Sequence, residues 1–231
     1  MFIVTCLTVT LIFPVACGTI ARVDRIDYQF NNEVKSMATS SVAILAADDL
    51  RVTGSGVMLK HEVGQRILVL TARHVTDHLN NVMAIMYITS NGEKRTVSAH
   101  TMKASDNFDL ALVISDSLAE ETDSFATLAG AEPRVGDVLY VVGCPNGRIF
   151  NVSKGILSNV FFDTDDGVKH RYYRTDAAIY FGNSGGPAYN DRGQIVGIAD
   201  MVEGAGAGRA VVPGSGILIT VVDIKKFIYN K

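Results

Sequence analysis

Short apolar runs of β type, separated by turn residues, are the feature that most limits the folds open to this chain of 231 residues. Only two stretches have helical character, one after His74 and one at 222–229. Turn signals such as Asn91-Gly92 stand between the apolar runs. Many short strands at close spacing predict an all-β protein built of barrels or a sandwich. The predicted strands lie near 41–46, 55–60, 66–71, 82–88, 94–102, 109–114, 137–143, 150–161, 170–176, 194–202 and 215–221.

The overall composition narrows the function classes. With 48% hydrophobic and 19% charged residues, the chain does not have the composition of a disordered, collagenous or coiled-coil protein. Its net charge of −3 leaves no basic excess to release counterions from a nucleic-acid backbone, so nucleic acid is not an expected partner.

The first 21 residues carry no charge and indicate export. The apolar run 2–13 is shorter than the ~20 residues that span a bilayer, and it ends at Pro14. Small residues follow, so residues 1–16 are predicted to be a signal peptide. An ordinary cleaved signal, a lipoprotein signal and an uncleaved anchor all remain open, as does a buried first strand or helix. Residues 17–36 are predicted to form a tether.

Cys17 follows a small residue and resembles the lipidated cysteine of a bacterial lipobox. That resemblance implies a periplasmic or cell-surface protein anchored to the membrane through Cys17. Once the signal is removed, Cys144 is the one other cysteine left, so no internal disulfide is expected. Its apolar surroundings predict a small buried side chain and not a nucleophile.

A glycine-rich segment around Ser184 carries a chemical signal. In Gly182-Asn-Ser-Gly-Gly-Pro187 the flanking glycines allow a tight, exposed turn. Such a turn can direct backbone N–H groups to a point beside a nucleophilic Oγ, which is the geometry of an oxyanion hole. A plain hairpin turn explains the same segment when it is taken alone.

Two further residues supply what a nucleophilic serine needs. His74 follows the apolar run 67–70, so the end of a strand fixes the position of a base. Asp109 lies in the apolar run 108–113, where a carboxylate is costly to bury unless it is paired. An imidazole N–H is a natural partner. Taken alone, the first could be a surface histidine and the second an ion-paired or amide-bonded aspartate.

In the order His74, Asp109, Ser184, these motifs resemble the trypsin-like serine proteases. The closer resemblance is to the HtrA/Deg branch: residues 175–187 look like its serine segment, and Gly54-Ser-Gly-Val57 looks like its glycine-rich segment ahead of the histidine strand. The resemblance implies two tandem six-stranded antiparallel β-barrels with a short C-terminal helix. The implied protease domain is 37–231, with barrels at about 37–125 and 126–221 and a helix at 222–229.

The resemblance also implies a role for each residue. Ser184 attacks the scissile carbonyl, His74 takes and returns the proton, and Asp109 orients the imidazole, through an acyl-enzyme intermediate. The backbone N–H groups of Gly182 and Ser184 hold the oxyanion, and Asn183 shapes the loop. The expected function is a serine endopeptidase acting on unfolded or exposed protein segments outside the cytoplasm. Homo-oligomers are common in the family.

The chain departs from the family pattern before the serine. Tyr180-Phe181 stands where smaller or polar residues are usual, which leaves the resting conformation of the oxyanion loop open. The alternative is therefore a silent or partner-activated binding protein on the same fold. No PDZ domain is expected after the terminal helix, and Asn183 replaces the aspartate that would bind a newly freed N-terminus. An ester hydrolase is disfavoured, because the serine lacks a G-x-S-x-G elbow.

The substrate pocket is implied only by resemblance. Ala178, Ile179 and Met201 are expected to line S1, which favours aliphatic P1 residues such as Val, Ala or Leu. Asp200 lies nearby, and Asp176 matches a position that is usually structural.

Two other signals are set aside. The pair His74 and His78 has zinc-like spacing but lacks the glutamate of an HExxH motif, so His78 is expected at the surface. Residues 204–208 alternate glycine and alanine like a dinucleotide loop, but no helix follows, so a flexible loop is expected. We infer no metal and no cofactor.

Overall fold

Two closed sheets account for most of the described chain. The computed structural model describes residues 24–25, 30–60, 65–79, 82–165, 168–205 and 210–229. The predicted signal peptide at 1–16 and the predicted lipid site at Cys17 lie outside these ranges, as does most of the predicted tether.

The first sheet is a barrel of six antiparallel strands, β2 to β7. Its strand order is β1-β6-β5-β2-β3-β4-β7, and a further pairing of β6 with β7 closes it. The two-residue strand β1 is added outside the barrel, on β6. The elements are β1 (Asp24–Arg25), α1 (Asn32–Thr39), β2 (Ser41–Ala46), β3 (Val52–Met58), β4 (Arg66–Thr71), α2 (Arg73–Thr76), β5 (Met83–Ile88), β6 (Glu93–Ala104) and β7 (Ala111–Leu118).

The second sheet is a closed six-stranded barrel in the order β10-β13-β12-β11-β8-β9. Its neighbouring strands are also antiparallel. A single 3-10 turn over Pro145–Gly147 separates its first two strands, and a helix follows its last. The elements are β8 (Val138–Gly143), β9 (Asn151–Asp165), β10 (Val168–Thr175), β11 (Pro187–Tyr189), β12 (Ile195–Ala205), β13 (Ala210–Thr220) and α3 (Val221–Tyr229).

The buried apolar side chains form three clusters. One fills the first barrel, around Ile44, Val69 and Ile85. Another fills the second barrel, around Leu139 and Leu218. The third joins residues of both barrels into one core between them. The two barrels therefore pack through a continuous apolar core, and the loops at their junction are held on a rigid base.

The predicted fold class is confirmed: two antiparallel six-stranded barrels and a short C-terminal helix. The structure adds helix α1, which the sequence analysis did not predict. Asn31 caps it, since its Oδ1 accepts a hydrogen bond from the Val34 N–H at 3.1 Å. Of the expected flexible loop at 204–208, residues 204 and 205 belong to β12 instead, and residues 206–208 lie outside the described residues.

Helix α1 precedes the first barrel, contacts its strands β2 and β5, and is also hydrogen-bonded to the second barrel. The buried Tyr189 hydroxyl of β11 donates to the Met37 carbonyl at 3.1 Å and lies 2.9 Å from the Ser40 hydroxyl. Burial raises the pKa of Tyr189 to about 12, so this hydroxyl remains a donor at physiological pH. The chain thus contacts the second barrel before it enters the first.

Candidate active site

His74 stands at the point where β4 ends and the short helix α2 begins. Its side chain is 47% exposed, whereas that of the next residue, Val75, is buried. A Cβ added at Gly54 of β3 would lie 2.6 Å from both methyl carbons of Val75. Glycine therefore lets α2 pack closely on β3, with the histidine left facing solvent.

Asp109 lies in the turn before β7 and makes two hydrogen bonds with His74. The backbone N–H of His74 donates to Oδ1 at 2.8 Å, and the ring Nδ1 is bonded to Oδ2. Because a carboxylate only accepts hydrogen bonds, Nδ1 carries the proton and Nε2 is left as the basic nitrogen. The structure thus brings these two predicted site residues into direct contact.

This contact shifts the pKa of both groups. The hydrogen bond with Asp109 raises the pKa of His74 above its ordinary value, against the opposing effect of burial. Burial by itself would raise the pKa of Asp109, but its hydrogen bonds and charge interaction with His74 keep that pKa below its ordinary value. The pair therefore favours an imidazolium beside a carboxylate, the state that forms when a histidine accepts a proton.

The Ser184 loop is held mainly through its backbone. Gly182 and Gly185 have φ values of +98° and +81°, in the left-handed region that favours glycine. The Gly185 N–H donates to the Ala199 carbonyl at 2.7 Å, and the Ser184 carbonyl accepts from the Ser55 N–H at 2.8 Å. These bonds fix the serine between β12 of its own barrel and β3 of the first.

Ser55 ties the same loop to both barrels with its side chain. Its hydroxyl donates to the Gly182 carbonyl at 2.7 Å and accepts from the Cys144 N–H at 2.9 Å. Because the carbonyl of Gly182 is held in this way, the orientation of the following peptide is fixed. The sequence analysis singled out Gly54-Ser-Gly-Val57 for its glycines and missed this role of the serine.

The N–H groups of Gly182 and Ser184 are available for a ligand. Within the described part of the chain, neither donates to another protein group. The Phe181 carbonyl accepts from the Asn146 N–H at 2.9 Å. Since the peptide bond is planar and trans, the Gly182 N–H points away from Asn146. The aromatic pair Tyr180-Phe181 is 44% and 65% exposed, its rings edge to face at 5.2 Å.

Ser184 is oriented by the second barrel in this resting structure. Its Oγ donates to the backbone carbonyl of Asp200 at 3.1 Å. Among the described contacts there is no hydrogen bond between Ser184 and His74. Such bonds are often formed only when substrate is bound.

Asp200 brings a third titratable side chain to the site. It is 5% exposed, and ligand-type atoms of His74, Asp109 and Asp200 all lie within 4.8 Å of one another. Nδ1 of His74 and Oδ2 of Asp109 are already bonded to each other. The grouping thus has the character of a proton-sharing cluster, and we assign no metal to it.

The predicted S1 residues fall into two places. Ile179 packs against Gly216 of β13, where an added Cβ would lie 2.5 Å from its Cδ1. The Ala178 carbonyl accepts from the Ser153 hydroxyl at 2.8 Å. Met201, 52% exposed, lines a cavity of about 310 Å³ together with His74. Neither Ala178 nor Ile179 lines that cavity.

Three other expectations hold. Cys144 is a buried free thiol whose pKa is raised by burial, as expected of a small apolar residue. His78 is exposed at the surface. Asp176 is structural, since its Oδ1 accepts from the Ile156 N–H at 2.7 Å. Over the described residues, no helix is long and apolar enough to cross a membrane.

Comparison with protein families and curated proteins gives a consistent match. Residues 54–198 match the family model of the trypsin-like peptidase domain. Serine protease Do-like HtrA of Bacillus subtilis is 31% identical over 185 residues, which is 74% of this chain and 39% of that protein. Serine endoprotease DegS of Haemophilus influenzae is 30% identical over 205 residues, 86% of this chain and 56% of that protein. Serine protease Do-like HtrB of Bacillus subtilis is 33% identical over 156 residues, 64% of this chain and 32% of that protein. The chain thus spans about a third to just over half the length of these relatives.

Solved structures share the fold. The inactive form of a mutant protein from M. tuberculosis H37Rv superposes with a TM-score of 0.68 at 18% identity, covering 86% of this chain and 89% of that one. The serine endoprotease from Yersinia pestis gives a TM-score of 0.66 at 23% identity, covering 88% and 66%. At these identities the likeness concerns the fold alone.

Proposed function

Since this chain belongs to the trypsin-like peptidase family, we propose that it is a serine endopeptidase that uses Ser184, His74 and Asp109. The observation that carries the proposal is the double hydrogen bond between His74 and Asp109. It fixes the tautomer of a half-exposed imidazole and raises its basicity at a site that also holds a partly buried serine on a glycine-rich turn. A histidine with a purely structural role does not need an oriented, basic Nε2.

The proposed reaction proceeds in two halves. Ser184 turns from the Asp200 carbonyl toward His74, its Oγ bonds to the scissile carbonyl carbon, and its proton passes to Nε2. The tetrahedral oxyanion accepts hydrogen bonds from the N–H groups of Gly182 and Ser184. It collapses with loss of the amine, which takes the proton from His74 and leaves an ester on Ser184. Water then repeats the steps, giving the acid and restoring the serine.

Substrate preference is proposed from the apolar residues near the serine. Ile179 and Met201 offer aliphatic and thioether surface, with the Ala178 backbone at the edge. We expect P1 side chains of Val, Ala or Leu, in unfolded or exposed segments of protein substrates. Two curated relatives are described as periplasmic, one from Haemophilus influenzae and one from Halomonas elongata, which supports export of this chain.

Membrane attachment through Cys17 belongs to the same proposal. Replacing this residue (Cys17→Ser) should release the protein from the membrane fraction without changing catalysis. Mass spectrometry of the mature N-terminus decides the point, since an unlipidated Cys17 contradicts the anchor. A homo-oligomer is also part of the proposal. The molecular mass of the purified protein in solution tests it.

A second candidate function rests on the resting serine. Because the Ser184 Oγ is bonded to the Asp200 carbonyl, the chain can be a binding protein whose protease site waits for a partner to reorient it. The exposed pair Tyr180-Phe181 beside the loop is where such a partner would make contact.

One experiment separates the two functions. A fluorophosphonate probe is added to the purified full chain, to Ser184→Ala and to Ser90→Ala. The last variant is the control, since it removes an exposed hydroxyl from the turn between β5 and β6 of the first barrel. Casein cleavage is followed in parallel. We expect labelling and cleavage by the wild type and Ser90→Ala but not by Ser184→Ala. A folded wild type that is neither labelled nor active supports the silent binding protein. Equal activity in all three excludes Ser184 as the nucleophile.

A further inference from the structure

Asp200 is a buried acid at the centre of the site that the proposed mechanism leaves without a role. It lies on β12, it is 5% exposed, and its backbone carbonyl receives the Ser184 hydroxyl. Its carboxyl group faces His74 and Asp109, with ligand-type atoms of all three within 4.8 Å. An ionised carboxylate in such a position is costly, because two like charges then share a poorly solvated site.

The hydrogen bonds decide which of the two acids is ionised. Asp109 accepts from the backbone N–H and the ring of His74, and both bonds favour its anion. A hydrogen bond from Asp200 further lowers the pKa of Asp109. Because a carboxylate has no proton to donate, a bond between two carboxyl groups needs one of them protonated. The three groups therefore share one proton beyond the one between His74 and Asp109, and either Asp200 or His74 carries it.

We propose that Asp200 is a positioning residue: its carboxyl group shares one proton with Asp109 and His74 and thereby sets the pH at which His74 becomes a free base. The inference rests on the proposed serine-protease function. While Asp200 holds the proton, it donates to Asp109 and keeps that carboxylate turned to the imidazole. When Asp200 gives the proton up, its negative charge holds a proton on His74 instead.

The other charged groups around Asp200 are occupied elsewhere. Its cavity is also lined by His170 and Arg171 of β10 and by Asp223 of α3. Arg171 is paired with Glu132 at 2.6 Å, and Asp223 is paired with Lys226 at 2.7 Å. His170 packs its ring edge against Phe108 at 5.6 Å.

Directly after α2 lies another acid, Asp77, which is exposed and paired with Arg73 at 3.4 Å. In their ionised forms both Asp77 and Asp200 raise the pKa of His74, and Asp200 has the larger effect of the two. Apart from Asp109, Asp200 is therefore the acid whose removal should change the pKa of His74 most.

Substitutions at position 200 separate charge from hydrogen bonding. Asp200→Asn and Asp200→Ser keep a donor to Asp109 but cannot become negative, whereas Asp200→Ala loses both properties. We expect the acid limb of kcat/KM to move to lower pH by about one unit in all three variants. The maximal kcat should stay within a few-fold of wild type in the Asn and Ser variants and fall about tenfold or more in the Ala variant.

The matched control is Asp223→Asn, which neutralises another buried carboxylate in the same cavity, one already paired with Lys226. In this variant the acid limb of kcat/KM should stay within about 0.3 of a pH unit of the wild-type position, which is a small fraction of the shift expected for the Asp200 variants. If Asp200→Asn and Asp200→Ser are active and folded but keep the wild-type limb, the proposal is overturned. The same holds if Asp223→Asn shifts the limb equally, since the effect is then not specific to Asp200.

A second readout keeps the inference separate from the protease proposal. In the Ser184→Ala protein, the pKa of His74 is measured by NMR of labelled imidazole nitrogens, with His74→Gln for assignment. Adding Asp200→Asn should lower the His74 pKa by about one unit whether or not the wild type cleaves peptides. An inactive wild type with this shift contradicts the proposed function alone, and an active wild type without it contradicts the role of Asp200 alone.

Discussion

The two halves of the site are held in different ways. In the first barrel, His74 and Asp109 are joined by side-chain hydrogen bonds, and the imidazole is set before any substrate arrives. In the second barrel, Ser184 is positioned by the backbone of its loop, and its hydroxyl points to the Asp200 carbonyl. The base is therefore pre-organised by polar chemistry and the nucleophile by chain conformation.

This difference indicates which substitutions each half of the site can accept without loss of the fold. A polar pair can be weakened by removing one atom, while the fold around it persists. A loop of left-handed glycines depends on the absence of side chains, so that a single added carbon disturbs the packing of two barrels. Mutations in the first half should mainly change rate, and those in the second should change stability as well.

The largest expected effect on activity comes from a substitution in the hydrogen-bonded pair of His74 and Asp109. Asp109→Asn keeps an oxygen for the His74 N–H, but its amide no longer fixes the imidazole tautomer. We expect kcat to fall about 10⁴-fold with little change in melting temperature. Asp106→Asn, a neighbouring acid that is 98% exposed, is the control and should keep its activity. A loss below tenfold for Asp109→Asn would mean that the pair is not catalytic.

The next effect tests the backbone-held half. A Cβ at Gly185 would lie 2.1 Å from the Thr71 Oγ1 and 2.3 Å from the Ser55 carbonyl, at a φ of +81°. Gly185→Ala should therefore lower the free energy of unfolding by about 3 kcal/mol or more, through strain and overpacking together. Urea unfolding measures it against Gly147→Ala, which has a φ of +73° and no atom within 4 Å. That control should cost only about 1 kcal/mol. Similar costs for the two variants would refute the packing argument.

A smaller effect is expected where the two halves meet. Ser55→Ala leaves the Gly182 carbonyl and the Cys144 N–H without the hydroxyl that joins them. The stability loss should be about 1–3 kcal/mol, with a fall in kcat because the oxyanion loop loses its anchor. Thr53→Ala removes one hydroxyl bond from the same strand, to the Ile44 carbonyl at 3.2 Å, and should leave kcat unchanged. Equal kcat in both variants would show that Ser55 does not position the loop.

The smallest effect concerns the pH dependence of stability. The raised pKa of His74 means that its contribution is full below the unfolded value of 6.5 and is lost as pH rises through the folded value. The lowered pKa of Asp109 means that its contribution is full above 3.8 and is lost as pH falls through the folded value. The melting-temperature gap between wild type and Asp109→Asn should thus be widest between about pH 4 and 6.5. The corresponding difference in the free energy of unfolding should stay below ~1 kcal/mol, because His74 is half exposed and solvent screens the pair.

Local patterns in the sequence predicted an all-β protein and a turn at Ser184, whereas the two tandem barrels and the three residues of the proposed triad came from the resemblance to the trypsin-like proteases. Alternating β runs between turns specify strands, and glycines around Ser184 specify a turn. The contact of His74 with Asp109 then follows from the fold.

Other parts of the site depend on contacts between distant segments. Asp200 looks like any acid at a strand end, and its burial beside Asp109 is visible only when the barrels are assembled. The hydroxyl of Ser55 has its role because Cys144 and Gly182 come to it from the other barrel. Helix α1 was missed because its segment is short and mostly polar, so that its stability comes from docking on Tyr189 and not from periodicity.

That docking has a consequence for the order in which the protein matures during synthesis. Met37 and Tyr189 are 152 positions apart. At a ribosomal rate of 5–20 residues per second, roughly 8 to 30 seconds separate the emergence of the two residues. During that interval α1 can pack on β2 and β5 of the first barrel, but its hydrogen-bond partner Tyr189 has not yet been synthesised. The hydrogen bonds that join α1 to β11 are therefore among the last contacts of this helix to form.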